Sequence, residues 1–151
     1  TANLVKICNN KNIKLIFFST SYVYPGTKGS YKENDALLPW NNYGWSKLGA
    51  ESAVQMYKNS LIIRACMTEK PFIHKYAYSN VNSNFIFHDE FAKKFIKVLG
   101  KKGIVNIGGE TNTIFNFAKK NNKNVKKIKS KGEFPLKMDM SLSKYKSLIR
   151  K

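Results

Sequence analysis

Cysteine is scarce in this sequence, and its placement excludes the functions that depend on it. The 2 cysteines, Cys8 and Cys66, lie in apolar surroundings and form neither a Cys-x-x-Cys pair nor a metal-ligand pattern. Redox motifs and zinc sites are usually recognised by such spacings. We therefore expect two buried free thiols in a reducing, cytoplasmic environment, and no metal site.

Long hydrophobic runs are also missing. No stretch approaches the ~20 consecutive apolar residues that a helix needs to cross a bilayer, so we expect no membrane association. The length of 151 residues, with 42% hydrophobic and 13% aromatic residues, instead suits a globular protein with one sizeable core.

Acidic residues and arginines are few, although the chain is strongly basic. There are 9 acidic residues against 27 basic ones, which gives a net charge of +18 and suggests nucleic acid as a partner. Only Arg64 and Arg150 are arginines, however, and arginine is the usual bidentate reader of phosphates and bases. Lys, Asn and Ile all have AT-rich codons, so the base composition of the gene is a sufficient cause. The densest basic run, 119–131, contains no aromatic residue for base stacking; we interpret it as a solvated helix end and loop, and expect no nucleic-acid partner.

Apolar strands alternate with amphipathic helices, which is the pattern of a doubly wound α/β fold. The strand over 15–18 is apolar throughout, as parallel strands are when helices cover both faces of a sheet, and 61–64 is a second buried strand. We expect side-chain caps from Asp89, from the 111–113 segment and from Ser141 for the last three helices. The predicted elements are a helix over 3–10, a buried strand over 15–18, a helix over 42–57, a buried strand over 61–64, a helix over 89–99, a strand over 104–107 and two further helices.

One motif among these predicted elements has the residue types and the spacing for proton transfer. Tyr43 and Lys47, in the Y-G-W-S-K of residues 43–47, lie one turn apart on one face of the second helix. A phenol has an ordinary pKa of about 10, and a nearby cation lowers that pKa by favouring the phenolate. Upstream, the S-T-S-Y-V-Y of residues 19–24 follows a predicted strand end. A hydroxyl, a phenol and an ammonium together can move a proton to or from a carbonyl or an alcohol.

Residues 19–47 resemble the extended short-chain dehydrogenase/reductase superfamily, which contains the nucleotide-sugar epimerases, dehydratases and reductases. The block looks most like the dTDP-4-dehydrorhamnose reductase branch, which reads S-T-D-Y-V-F, a Gly-rich turn, an acidic stretch, a Pro and then Y-G-x-S/T-K. Weaker similarity continues in 61–64, 85–92, 103–109 and 141–145. The resemblance implies the C-terminal part of a Rossmann-type parallel sheet over 1–64, and a small substrate-binding lobe with the remaining sheet and helix elements over 65–151.

The resemblance also implies roles for individual residues. Tyr43 would donate the proton to the carbonyl that is reduced, Lys47 would hold the nicotinamide ribose of NADPH or NADH, and Thr20 would orient the substrate oxygen. Ala65 and Cys66, after the second buried strand, would border the nicotinamide. Ser21 and Tyr22 would contact a nucleotide-sugar substrate. The superfamily often dimerises through the helix that carries Tyr43 and Lys47, so a homodimer is an open alternative to a monomer.

Two departures from the family pattern leave alternatives open. The reductases have Asp where this chain has Ser21, and a C4 epimerase would use the same Tyr and Lys. No Gly-rich loop for a cofactor pyrophosphate follows an opening strand. We interpret the chain as the C-terminal part of a longer enzyme, inactive by itself, with a non-catalytic binding relative as the alternative.

Four further residues have weaker functional interpretations. His88, consecutive with Asp89 and Glu90, suits a helix start better than a metal site, because adjacent helical side chains point in different directions. Tyr76 and Tyr78 would stack on a nucleotide base or pack the small lobe. Arg64, at the end of a strand, would be structural or would contact a phosphate.

Overall fold

The fold is built around a three-stranded parallel sheet, seen in a computed structural model that describes residues 1–150. The strand order in this sheet is β1-β2-β7. The helices are α1 (Ala2–Asn10), α2 (Asn42–Gln55), α3 (His88–Ile96), α4 (Ile114–Asn121) and α5 (Ser143–Ile149). The strands are β1 (Leu15–Thr20), β2 (Ser60–Ala65), β3 (Met67–Thr68), β4 (Tyr76–Tyr78), β5 (Asn82–Ser83), β6 (Ile86–Phe87), β7 (Gly103–Ile107), β8 (Asn112–Thr113) and β9 (Lys126–Ile128).

The central strand β2 is buried along its whole length, as its apolar run predicts. Its two faces meet different helices. Ile62 packs in a cluster with residues of α1 and α2, such as Val54. Ile63 packs in another cluster with Phe91 of α3 and Tyr145 of α5. Helices on both faces of a parallel sheet confirm the predicted α/β class.

Strand β1 departs from the prediction of a fully buried strand. Phe18 is 39% exposed, and Ile16 and Phe17 are only half-buried. The cause is the position of β1 at the edge of the described sheet, with β2 as its one neighbour. Phe18 packs edge-on against Phe91 and Phe95 of α3, which cover part of its ring.

A second core lies outside the central sheet, in a lobe built from short strand pairs and α4. The pairs are β3 with β6, β4 with β9, and β5 with β8. Phe72, Val81, Ile114 and Met138 form the centre of this core. The segment from 66 to 84 has no clear period, so its strands were not predicted. Interpreting 119–131 as a helix end and loop was wrong in part, because β9 lies within it and pairs with β4.

The helix starts match the predicted caps only in part. Thr113 caps α4 as expected, since its side chain accepts a hydrogen bond from the Asn116 amide. Asp89 does not cap α3; Phe87 occupies the cap position and Asp89 lies in the first turn, where a carboxylate still suits the helix dipole. Ser141 lies one residue before the Leu142 cap of α5, and its hydroxyl accepts a bond from the Ser143 amide. Within residues 1–150, no helix is long and apolar enough to span a bilayer.

Candidate active site

A cleft of about 200 Å³ opens at the carboxyl ends of β1 and β2. The two strands run parallel with Thr20 aligned to Ala65, so residues that end both strands meet at one edge of the sheet. The cleft brings together Thr20, Tyr22, Tyr43, Ala65 and Cys66, five of the seven residues to which the resemblance gives a role in the site. The other lining residues are Ser19, Met67, Phe85 and His88.

Tyr43 is held at the cleft by the way α2 begins. The Asn41 side chain caps the helix by accepting a hydrogen bond from the Gly44 amide at 2.7 Å. A Cβ at Gly44 would lie 2.5 Å from the Tyr22 carbonyl oxygen, so only glycine allows this close approach. As a result the Tyr43 ring stands edge-on to the Tyr22 ring, with 6.1 Å between centroids, and stays 53% exposed.

Lys47 lies one turn further along α2 on the same face, but it does not line the cleft. Its ammonium lies over the Phe17 ring, 4.6 Å from the centroid. A cation over an aromatic face is attracted to the ring electrons, and the four-carbon stem of lysine is flexible. The structure therefore places Lys47 beside the predicted site, within the same helical stripe as Tyr43.

Thr20 presents a hydroxyl whose proton is free for a ligand. Its Oγ1 accepts a hydrogen bond from the Tyr22 amide at 3.2 Å, which caps the short 3-10 turn Ser21–Val23. A hydroxyl that accepts such a bond can still donate its own proton. The side chain is almost fully buried, so its orientation is fixed by the turn.

Ser21 and Tyr22 differ in their access to the cleft. Ser21 is fully buried, does not line the cleft, and its Oγ has no hydrogen-bond partner within residues 1–150. Tyr22 lines the cleft and packs against Trp40 and Phe134. Burial raises the pKa of Tyr22 well above its ordinary value, and Cys66 and Tyr43 add to the shift. Tyr22 therefore stays protonated at physiological pH.

Cys66 lines the cleft as a neutral thiol. Both Cys8 and Cys66 are buried and free, which confirms the expectation for the two cysteines. Burial raises the pKa of Cys66 from 9.0 to about 11, although the neighbouring Ser83 and Ser21 hydroxyls oppose the shift. The Ser83 Oγ donates to the sulfur at 3.3 Å; the Ser21 contact falls short of hydrogen-bond geometry.

This raised pKa predicts slow alkylation of Cys66 in the folded chain. In a Cys8→Ser background, we expect iodoacetamide to react at pH 8 about 100-fold more slowly with folded than with urea-unfolded protein, because the thiolate is the nucleophile. The folded-state rate should rise with pH up to about 11, the pKa of the thiol. Equal rates for folded and unfolded chains would contradict the burial of this thiol.

Arg64 proves to be structural and unavailable to a phosphate. Its Nε and Nη2 donate to the Glu51 carboxylate, with the shortest bond at 2.7 Å, and both side chains are fully buried. Its Nη1 donates to the Tyr24 hydroxyl and to the Glu33 carbonyl oxygen. Glu33, from the acidic stretch between the Gly-rich turn and the Pro, is structural as well, because its carboxylate accepts a hydrogen bond from the Asn106 backbone amide. Two sequence features pointed to the Glu51–Arg64 ion pair: Arg64 is one of only two arginines, and Glu51 lies four residues after Lys47.

An aromatic groove of about 590 Å³ lies next to the cleft. Tyr22, Met67 and Phe85 line both, so the two spaces are neighbours with shared walls. The groove wall contains Tyr76 and Tyr78, as the base-stacking interpretation requires. It also contains Phe72, His74, Lys75, Ala77, Thr68, Ile114, Ile128 and Phe134. Met67 was missed because its segment has no sequence period, and Phe85 was noted only within the weak family similarity over 85–92. In residues 1–150, no cluster of three or more His, Cys, Asp or Glu side chains is arranged for a metal ion.

Comparison with known proteins connects this site to a family. Residues 1–70 match the family described as the RmlD substrate binding domain. A probable low-salt glycan biosynthesis reductase of Haloferax volcanii is 41% identical over 64 residues, which cover 41% of this chain and 21% of that protein. A hypothetical dTDP-4-dehydrorhamnose reductase of Sulfolobus tokodaii superposes with a TM-score of 0.84 at 25% identity, over 97% of this chain and 62% of that one. The matched part of the chain is similar to the dTDP-4-dehydrorhamnose reductases.

The same fold occurs in proteins solved with a nicotinamide cofactor. The dTDP-4-dehydrorhamnose reductase of Bacillus anthracis, solved in complex with NADP, superposes with a TM-score of 0.79 at 18% identity, over 99% of this chain and 67% of that one. The fold that the resemblance implies is thereby confirmed. The present chain spans about a fifth of the length of the curated relative from Haloferax volcanii.

Proposed function

We propose that the protein containing this chain reduces a 4-keto-6-deoxy sugar nucleotide with NADPH or NADH. The observation that carries this proposal is the meeting of the Thr20 and Tyr43 side chains in one cleft at the carboxyl ends of two parallel strands. Ligands of open α/β sheets bind at this edge. Residues 65–151 would supply the lobe that holds the rest of the substrate.

The residues of the cleft suit the nicotinamide end of such a cofactor. Ala65 is small and Cys66 is a neutral thiol, so the floor at the end of β2 presents no charge and little bulk. Ser19 lines the same cleft with a buried hydroxyl that has no partner within residues 1–150, which is a polar atom still to be satisfied. Tyr43 and Lys47 would hold the ribose. When bound, the cofactor supplies the hydride.

The chain's own side chains would then manage the carbonyl oxygen and a proton. The Thr20 hydroxyl donates to the substrate oxygen and fixes its position. Tyr43 stands at the cleft, half exposed, and gives its phenolic proton to that oxygen as negative charge develops. Lys47, one turn along the same face, reaches from its resting place over Phe17 toward the ribose and the phenol. General acid help of this kind contributes ~10²–10⁴-fold to a rate.

The aromatic groove would hold the nucleotide. Its volume of about 590 Å³ lies within the range of small-molecule pockets. Tyr76 and Tyr78 offer ring faces for a base, and Lys75 offers an ammonium for a phosphate. Because the groove shares Tyr22, Met67 and Phe85 with the cleft, a sugar joined to a nucleotide in the groove would point toward Thr20. The net charge of +18 also favours an anionic substrate.

A cofactor-oxidation assay tests the proposal. We expect the complete protein that contains this chain to oxidise NADPH or NADH when a 4-keto-6-deoxy sugar nucleotide is added, with product formed in equal amount. A UDP-hexose is the control substrate and should cause no net oxidation. Interconversion of C4 epimers without net oxidation would replace the reductase by an epimerase, and absence of both reactions would contradict the enzyme assignment.

A further inference from the structure

The face of α2 that carries Tyr43 and Lys47 continues to a third residue with no part in the proposed chemistry. Glu51 follows at the same four-residue spacing, so the three side chains form one stripe along the helix. Tyr43 is exposed at one end of the stripe, whereas Glu51 is 0% exposed at the other. The stripe therefore runs from the cleft into the interior.

The partner of Glu51 lies on the strand that ends at the cleft. Arg64 is aligned with Ser19 on β1, and the next residue, Ala65, is aligned with Thr20 and lines the cleft. The ion pair between Glu51 and Arg64 thus joins the helix of Tyr43 to the strands of Thr20 and Ala65, with a shortest distance of 2.7 Å.

The contact is more than a single charge pair. The planar guanidinium bonds Glu51 with Nε and Nη2, and it bonds Tyr24 and the Glu33 carbonyl with Nη1. The Tyr24 hydroxyl in turn donates to the Asn106 side chain on β7 at 2.9 Å. A rigid fork with several simultaneous bonds fixes both the distance and the rotation of the helix relative to the sheet.

Stability alone does not account for such a pair. Burying two charges costs desolvation energy, and apolar replacements of similar volume are often neutral or stabilising. Geometry gives a better reason, because a misplacement of about 1 Å at a reacting group can cost about 10²-fold in rate.

We propose that Glu51 and Arg64 are positioning residues, which set the rotation and height of α2 so that Tyr43 shares the cleft with Thr20 and Lys47 lies beside it. The proposal rests on the proposed function for its catalytic consequence, but its structural consequence stands separately. Neither residue touches the cleft, and both act through the helix that carries the proton donor.

The decisive variant replaces the pair by apolar side chains, Glu51→Leu with Arg64→Met. We expect the melting temperature to stay within a few degrees, kcat to fall about tenfold and KM to change little, because the substrate contacts are intact. Arg64→Lys keeps the positive charge but loses the planar guanidinium with its several simultaneous hydrogen bonds. This variant should likewise lower kcat and leave KM almost unchanged. The matched control is Lys28→Met with Asp35→Asn, which removes the exposed ion pair and should leave kcat unchanged.

Hydrogen exchange on the 151-residue chain gives a readout that needs no activity. In the double variant, and in Arg64→Lys if the double variant does not fold, amides 46–51 of α2 should exchange about tenfold faster while those of β2 do not. Unchanged exchange in α2, or full kcat with an apolar pair, would overturn the positioning role. A wild-type protein without turnover would refute the proposed function, and the exchange data would still decide whether Glu51 and Arg64 position α2.

Discussion

Replacing Tyr43 by Phe should lower the turnover of the complete protein by ~10²–10⁴-fold. The variant removes only the phenolic oxygen, which we propose as the proton donor to the substrate carbonyl. The ring is 53% exposed and its edge-on contact with Tyr22 does not need the hydroxyl, so the fold should be unaffected. Cofactor affinity should change little, because Lys47 and the floor of the cleft remain.

Turnover, melting temperature and cofactor affinity measured together would separate chemistry from folding. Tyr145→Phe is the matched control, since its hydroxyl donates to the Lys94 carbonyl oxygen away from the cleft. We expect that control to keep parental kcat. If Tyr43→Phe retained nearly normal turnover, Tyr43 would not be the proton donor.

The elements that position the cleft were predictable because their signals are local. The apolar run of residues 61–63 predicted β2 as a buried strand, and the Tyr-x-x-x-Lys spacing put Tyr43 and Lys47 on one helical face. The position of the first strand in the sequence was predicted correctly, but the exposure of its side chains was not. Burial of Phe18 depends on how many strands and helices surround it, which a run of four apolar residues does not encode.

The contacts that hold the site depend on residues far apart in the chain. Arg64 meets Glu51, Tyr24 and Glu33, and no periodic pattern connects these positions. The same holds for Met67, in the two-residue strand β3, and for Phe85, just before the two-residue strand β6, because these strands are too short to show alternation. Asp89 failed as a predicted cap because the chain enters α3 directly from β6, which puts Phe87 at the cap position.

Gly44→Ala should destabilise the protein by about 1–3 kcal/mol, the usual cost of overpacking. The new methyl group would lie 2.5 Å from the Tyr22 carbonyl oxygen and 2.9 Å from the Pro39 Cβ. The first of these atoms is backbone, which moves only with the turn that carries Thr20. Relief of the clash therefore requires α2 and this turn to separate, and that motion takes Tyr43 away from Thr20.

Gly49→Ala, on the same helix, is the matched control. Nothing lies within 4 Å of a Cβ at Gly49, so alanine there should stabilise the helix by about 1 kcal/mol through its higher propensity. Urea unfolding of both variants measures the two opposite changes in free energy of unfolding. In the complete protein, Gly44→Ala should also lower kcat by about 10²-fold, the expected cost of a misplacement of about 1 Å. Parental stability and turnover in Gly44→Ala would show that the start of α2 tolerates a side chain, and that the close approach to Tyr22 does not set the position of Tyr43.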